Sequence, residues 1–301
     1  MKIAVAASPE VAIPTLEYLF ASEHDLSLII SRPDSQLGRG REVTPTAVSV
    51  WAMSKNIELY RPDKAADFDE RLTTFDLVIT VGYGLLLPDF LLGQPKYGFI
   101  NLHFSLLPKL RGAAPAQRAI INGETETGVT VFLLDAGMDT GPIYLKIEHE
   151  IKPNTTAGEL LKELSLLGPR AIDETLKAIE NGVAPTPQDN SEATNAAKLS
   201  KVEAQIDWSD EAKQIVNKIL GFAPNPGATA KFRGEVLRIT RARLSEHSLP
   251  VGEISLVSGS VLVGTATSAV ELLEVTPAGK KPMTASAWAN GARFTTGQSI
   301  E

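Results

Sequence analysis

Short apolar runs alternate with stretches of helical spacing through the first half of this chain, and few folds accommodate that order. The runs KIAVAA, DLSLIISRP, IELYRP, DLVITVGYG, YGFINLHF, GVTVFLLD and IYLKIEHEI read as strands. Between the first two, Ile13, Leu16, Leu19 and Phe20 recur at helical spacing. TPTAVSVWAMSKN reads as a helix with Pro45 near its start, DFDERLTTF as a short helix, and APAQRAIING as a helix stopped by Gly123. DLVITVGYG and YGFINLHF are apolar enough for the middle of a parallel sheet. The order predicts an α/β domain: an open, mostly parallel, Rossmann-like sheet with helices on both faces.

The pattern then changes. Thr156 and Glu159 have capping-box spacing, and Leu160, Leu161, Leu164 and Leu167 mark an apolar stripe. Gly168-Pro169 should kink or restart that helix before Ile172, Leu176 and Ile179 resume the spacing. VAPTPQDNSEATNAAKLSKVEAQ has few large apolar residues and reads as a linker. DWSDEAKQIVNKILGF reads as a helix with acids in its first turn. Short alternating runs with glycine turns follow, the pattern of a small antiparallel β-barrel of OB-like type. The expected division is 1–183, a linker over 184–205, and 206–301.

Composition narrows the chemistry. The 301 residues include no cysteine, which removes disulfides, thiolate nucleophiles and cysteine zinc sites. The four histidines, His24, His103, His149 and His247, form no HxxxH or HxH pair, so no metal site is expected. No apolar run approaches bilayer length, and MKIAVAASPE carries no clear cleavage signal, so a soluble cytoplasmic protein without membrane attachment is expected. The net charge is −7, but from Asp207 onward ten basic and nine acidic residues leave +1, against −8 before it. That excess leaves room for a phosphate-facing patch in the C-terminal part.

The polar residues Asn101 and His103 stand at the end of an apolar strand, two apart and therefore on one side. They lie near the carboxyl end of their strand, where ligands bind in open α/β sheets. VFLLDAGMDTGP adds Asp135 and Asp139 at the next strand-to-loop junction, and the spacing leaves both open. An amide can donate to a developing oxyanion, a histidine can move protons, and a carboxylate can orient the histidine. No enzyme nucleophile is evident, so the set suits attack by a nucleophile that belongs to the substrate, such as an amine on a carbonyl.

NLHFSLLPKLRGAAPAQ, continued by GETETGVTVFLLDAGMDTGPI, closely resembles the signature of the folate-dependent formyltransferases. The resemblance implies 10-formyltetrahydrofolate as the formyl-donor co-substrate, with no metal. It implies catalytic roles for Asn101, His103 and Asp139, the last rather than Asp135. Ser105, Leu106, Leu107 and Pro108 match the stretch that holds the tetrahydrofolate group. Three further stretches, SRPDSQLGRGREVTPTAV, KLSKVEAQIDWSDEAKQIVNKILGF and LEVTPAGKKPMTASAWANG, resemble the branch of that family that formylates methionyl-tRNA. That branch implies a monomer whose acceptor is the α-amino group of initiator methionyl-tRNA. It also implies that 1–183 is catalytic, that 206–301 binds tRNA, and that the Arg39 and Arg41 loop contacts the acceptor stem. Arg241 and Arg243, sharing a strand face, and Lys280 and Lys281 in a turn could hold the tRNA backbone through a sequence-independent term.

The alternatives are an amino-sugar nucleotide N-formyltransferase and a non-catalytic folate- or nucleotide-binding module. No GxGxxG follows the first strand, which weakens the dinucleotide version of the latter. The chain departs from the family at Phe104, where a glycine is usual, at Ala7-Ser8-Pro9 in place of Gly-Thr-Pro, and at Asn225, where an aromatic residue is common.

Overall fold

The computed structural model describes residues 1–37, 42–85, 87–293 and 297–301. The chain divides into two units. The first comprises Met1–Pro115, Thr127–His149 and Leu161–Ala196; the second comprises Ala116–Glu126, Glu150–Leu160 and Ala197–Glu301.

The strands of the first part are β1 (Lys2–Ala7), β2 (Asp25–Ile30), a ribbon of β3 (Ser35–Leu37) and β4 (Glu42–Thr44), β5 (Glu58–Tyr60), β6 (Leu77–Val81), β7 (Phe99–His103), β8 (Glu126–Leu133) and β9 (Ile143–Glu150). Seven of them form one sheet in the order β5-β2-β1-β6-β7-β8-β9. The pairs from β5 through β7 are parallel, and β8 runs antiparallel to β7. This is the Rossmann-like, mostly parallel sheet that the alternation predicts, and β6 and β7 stand in its interior.

Side chains alternate across that sheet. On one face Ala4, Ala6, Leu28, Ile30, Val78 and Phe99 share a buried core with Phe68, Leu72, Phe75 and Leu91. The last of these comes from α3 (Asp89–Leu92), a short helix with no counterpart in the sequence reading. The other face meets α6 (Gly168–Glu180). There a Cβ on Gly168 would fall 2.3 Å from Thr15 Oγ1 and 3.0 Å from Leu102 Cδ2, so only glycine allows the approach. Thr15 belongs to α1 (Ile13–Ala21), which packs against α6 and against α2 (Ala47–Ser54). Phe99, Asn101 and His103 therefore share the first face, while Ile100 and Leu102 share the second.

Local chemistry moved several element boundaries. DFDERLTTF forms a 3₁₀ segment, Glu70–Thr74, rather than an α-helix. Thr73 and Thr74 bond back to the carbonyls of Glu70 and Arg71, which competes with helix propagation. Thr46 caps α2 by accepting from Ser49 N, so Pro45 lies outside the helix. The long helix is two: α5 (Ala157–Ser165), with the reciprocal Thr156–Glu159 capping bonds, and α6, restarted at Gly168-Pro169. The polar stretch after α6 is held by backbone pairing, Thr186 to Ile143 and Asn195 to Arg111.

The second unit contains most of α4 (Pro115–Ile121) and the C-terminal elements. The acids Asp207, Asp210 and Glu211 precede α7 (Ala212–Phe222) instead of occupying its first turn, and Glu211 N donates to Gln214 Oε1 at the cap. The remaining strands are β10 (Ala228–Phe232), β11 (Glu235–Leu244), β12 (Glu253–Val257), β13 (Ser260–Val263), β14 (Val270–Pro277), β15 (Met283–Thr284) and β16 (Gln298–Ser299). They form a smaller antiparallel sheet in the order β10-β11-β14-β13-β12-β16, with β15 on β14. α8 (Ala285–Ala292) packs against β13 and β14, and α7 packs against β11. Among the described residues no helix is long and apolar enough to cross a membrane.

Candidate active site

At the carboxyl ends of β6 and β7 lies a cavity of about 460 Å³ whose wall includes Thr80, Asn101, His103 and Asp139. Its apolar wall includes Tyr83, Leu85, Leu87, Leu92 and Met138, with Phe104 beside the histidine. An apolar cleft of this size with a few converging polar groups has the usual form of a small-molecule site. The sheet explains the convergence of Asn101 and His103: they are alternate residues of one strand whose face is capped, toward Phe99, by apolar side chains.

Asn101 and His103 are each fixed from behind and open in front. Thr80 Oγ1 donates to Asn101 Oδ1 at 2.7 Å. That bond orients the amide, so its NH₂ is the group left to donate. His103 is buried, and its Nε2 lies 3.0 Å from the Leu110 carbonyl oxygen. A carbonyl only accepts, so Nε2 carries the proton and neutral His103 presents a bare Nδ1. The Asp139 carboxylate stands 3.8 Å from that Nδ1, beyond hydrogen-bond length but close enough to stabilise an imidazolium. Burial pushes the His103 pKa below its ordinary value of 6.5, against the opposing pull of Asp139 and the Leu110 carbonyl. The resting histidine is thus a neutral proton acceptor facing a carboxylate.

The two aspartates have different surroundings. Asp135 Oδ1 accepts from Gly137 N at 3.0 Å and from Thr140 Oγ1 at 2.7 Å, bonds that shape its own loop. Asp139 sits at φ +56° and accepts a 2.7 Å bond from Gly112 N on Oδ2. Gly112 itself sits at φ +121°, and a Cβ there would lie 2.8 Å from the Ala196 carbonyl oxygen, so glycine is required. β8 ends level with Phe99, where Leu134 N bonds to Phe99 O at 2.8 Å, and the following loop carries both aspartates to the cavity.

Other expected site residues are placed differently. Ser105, Leu106, Leu107 and Pro108 do not line this cavity; they form a turn directly after β7. Ser105 Oγ donates to Lys109 O at 2.7 Å, and Thr130 Oγ1 accepts from Leu107 N at 3.1 Å and donates to Ser105 O at 2.7 Å. Arg39 and Arg41 lie outside the described residues. Arg241 pairs with Glu159 at 2.5 Å and Arg243 with Glu271 at 2.7 Å. Lys280 and Lys281 are exposed, with Lys280 N closing a turn onto Pro277 O at 3.0 Å. The described residues bring no three of His, Cys, Asp or Glu together as metal ligands.

Thr80 and Gln188 were missed by sequence reasoning. Thr80 is a hydroxyl inside an otherwise apolar strand, and that oddity is a usable signal. Gln188 sits in the polar stretch read as linker, where nothing local distinguishes it.

Residues 1–176 match the family model described as formyl transferase, and residues 198–293 match that of the formyl transferase C-terminal domain. The chain is 40% identical over 306 residues to a methionyl-tRNA formyltransferase of Streptomyces griseus, covering 99% of each. It is 39% identical over 305 residues to one of Thermobifida fusca, covering 99% of this chain and 98% of that one. Among solved structures, an N-formyltransferase from Helicobacter canadensis in complex with folinic acid and dTDP-3-aminofucose aligns with a TM-score of 0.68 at 18% identity, covering 90% of this chain and 98% of that one. HypX from Aquifex aeolicus in complex with tetrahydrofolic acid aligns with a TM-score of 0.66 at 19% identity; the match covers 96% of this chain and 47% of that one. At these identities the two structures establish the fold alone.

Proposed function

The chain belongs to the formyl transferase family, and on that premise we propose that it transfers a formyl group from 10-formyltetrahydrofolate to the α-amine of methionine esterified to initiator tRNA. The observation that carries this reading is the end-to-end similarity to methionyl-tRNA formyltransferases, across both units of the chain. The amino-sugar alternative draws on a likeness of fold only, at 18% identity.

The cavity suits the chemistry. Its apolar wall can take an aromatic donor, and its polar groups converge where a carbonyl would react. The neutral amine attacks the formyl carbon. The free NH₂ of Asn101 donates to the oxygen as it gains charge. Nδ1 of His103 takes the proton that the amine loses, and Asp139 stabilises the imidazolium. The same nitrogen returns that proton to the departing nitrogen of the donor as the carbon–nitrogen bond breaks. Leu110 keeps Nε2 protonated throughout, so only Nδ1 changes state. Phe104 lines the wall beside His103 where the family usually has glycine.

Ser105, Leu106, Leu107 and Pro108 are proposed to support the folate through the backbone turn they form. The C-terminal sheet is proposed to be an OB-like barrel. The antiparallel bridge of Phe232 with Ile300, next to the β16 pairing with β12, supports closure of its two edges. The functional division proposed is 1–183 catalytic, 184–205 linker and 206–301 tRNA-binding, consistent in outline with the two matched family regions. Arg39, Arg41, Arg241, Arg243, Lys280 and Lys281 are proposed tRNA contacts, and the protein is proposed to act as a cytoplasmic monomer.

The test is a formylation assay with charged initiator tRNA, uncharged tRNA and an amino-sugar nucleotide side by side. Transfer to methionyl-tRNA alone is expected. Transfer to the sugar alone would keep the chemistry and replace the acceptor, and no transfer with folate still bound would leave a binding module.

A further inference from the structure

We infer that Gln188 is a positioning residue for the reaction, clamping the loop that carries Asp139 so that its carboxylate faces His103. The inference rests on the roles proposed above for His103 and Asp139. Gln188 Nε2 donates to two carbonyls of that loop, Asp139 O at 2.9 Å and Gly141 O at 2.7 Å. Its Oε1 accepts from Arg111 Nε at 3.1 Å and Nη2 at 2.6 Å, and Arg111 Nη2 also donates to Asn190 Oδ1 at 2.8 Å. The guanidinium only donates, so it fixes the amide with its NH₂ toward the loop. Both amide protons and the amide oxygen are thereby committed.

The loop needs such a clamp. Asp139 is a non-glycine residue at φ +56°, a backbone region that persists only where surroundings over-determine it. Its carboxylate is held by Gly112 N and its carbonyl by Gln188, so the residue is gripped at both ends. The strap that carries Gln188 also binds the loop opposite. Thr194 Oγ1 accepts from Leu110 N at 2.9 Å, and Leu110 supplies the carbonyl on His103 Nε2. Ala196 N bonds to Arg111 O at 2.6 Å beside Gly112. One polar segment thus holds both the partner of His103 Nε2 and the backbone of the residue whose carboxylate faces Nδ1.

Gln188 is only half-buried, and Thr186, Pro187, Asp189 and Asn190 around it are exposed. Its loss should therefore change catalysis more than stability. The experiment compares the full-length wild type with Gln188→Leu, Gln188→Glu, Asp139→Asn and the Gln188→Leu/Asp139→Asn double variant. It measures thermal unfolding, kcat and KM for both substrates, and the titration of His103 by NMR of labelled histidine. Gln188→Leu is expected to fold as the wild type and to lose about tenfold to a hundredfold in kcat with little change in KM. His103 should titrate lower in it than in the wild type, because the carboxylate that raises its pKa has moved. Gln188→Glu keeps the Arg111 contact without the two donors and should lose as much kcat. Adding Gln188→Leu to Asp139→Asn should cost nothing further.

An unchanged His103 titration in Gln188→Leu, or losses that multiply in the double variant, would overturn the inference. If the wild type proves inactive while Gln188→Leu still lowers the His103 titration, the clamp stands and the proposed reaction falls.

Discussion

The cavity in the first unit and the basic residues of the second hold their functional groups in opposite ways. In the cavity, Thr80 and Leu110 hold the rear of Asn101 and His103 and leave the NH₂ and Nδ1 open, while Gly112 N steadies the same Asp139 oxygen that faces Nδ1. On the C-terminal sheet, Arg241 and Arg243 present their working atoms to Glu159 and Glu271. The difference fits the two proposed tasks. A group that stabilises a transition state must already be in place, because reorganisation would add to the barrier. A group that meets phosphate can rest in an ion pair and exchange it. A pair with an exposed member is weak and screened by salt. Glu271 lies below the ordinary carboxylate range, chiefly through the bond from Arg243.

The largest expected effect breaks the first side of this contrast. His103→Ala should lower the transfer rate about a hundredfold to ten-thousandfold while folate affinity is kept; lost affinity would instead make His103 a binding group. The wild-type pH profile follows from the same residue. The base acts unprotonated, and burial holds its pKa below 6.5, so kcat/KM referred to the neutral-amine form of the acceptor should rise to a plateau through a midpoint below 6.5. Asp139→Asn removes a pull that raises that pKa and should move the midpoint further toward acid. A midpoint that stays fixed would mean that Asp139 does not face the working histidine in solution.

Thr80→Val tests the rear contact of Asn101. It should cost on the order of tenfold in kcat, less than the 10²–10³ expected for losing an oxyanion donor outright. An unchanged kcat would show that the amide is oriented by something else. On the other side of the contrast, Lys280→Ala and Lys281→Ala should each raise KM for charged tRNA a few-fold, leave kcat alone and reduce the salt dependence by about one counterion. The smallest effect belongs to Glu271→Gln. Releasing Arg243 should lower KM for tRNA by about twofold, since the resting pair no longer has to open. A higher KM would mean that the pair is structural and that Arg243 does not meet the tRNA.

Much of this was legible without coordinates because it depends on short-range periodicity. The strand runs, the sites of their turns and the sharing of one face by Asn101 and His103 follow from a repeat of two. The Thr156–Glu159 cap follows from a spacing of three. Where the reading slipped, a local competitor was at work, as with the threonine hydroxyls that tighten Glu70–Thr74 into 3₁₀ geometry.

The residue pattern alone determined an α/β sheet followed by a smaller antiparallel one, and it placed an amide and an imidazole at a strand end. Only the tertiary structure decided which loop atoms meet them. Asp135 and Asp139 are indistinguishable by spacing. Yet Asp135 spends its carboxylate on Gly137 and Thr140, while Asp139 turns toward His103. Gln188 and Leu110 were likewise invisible, one in a polar stretch and the other acting through its backbone carbonyl. Periodicity reports which way a side chain points from its own strand or helix. It carries no information about contacts between loops distant in sequence, and those contacts set the protonation and the pose of the groups at this site.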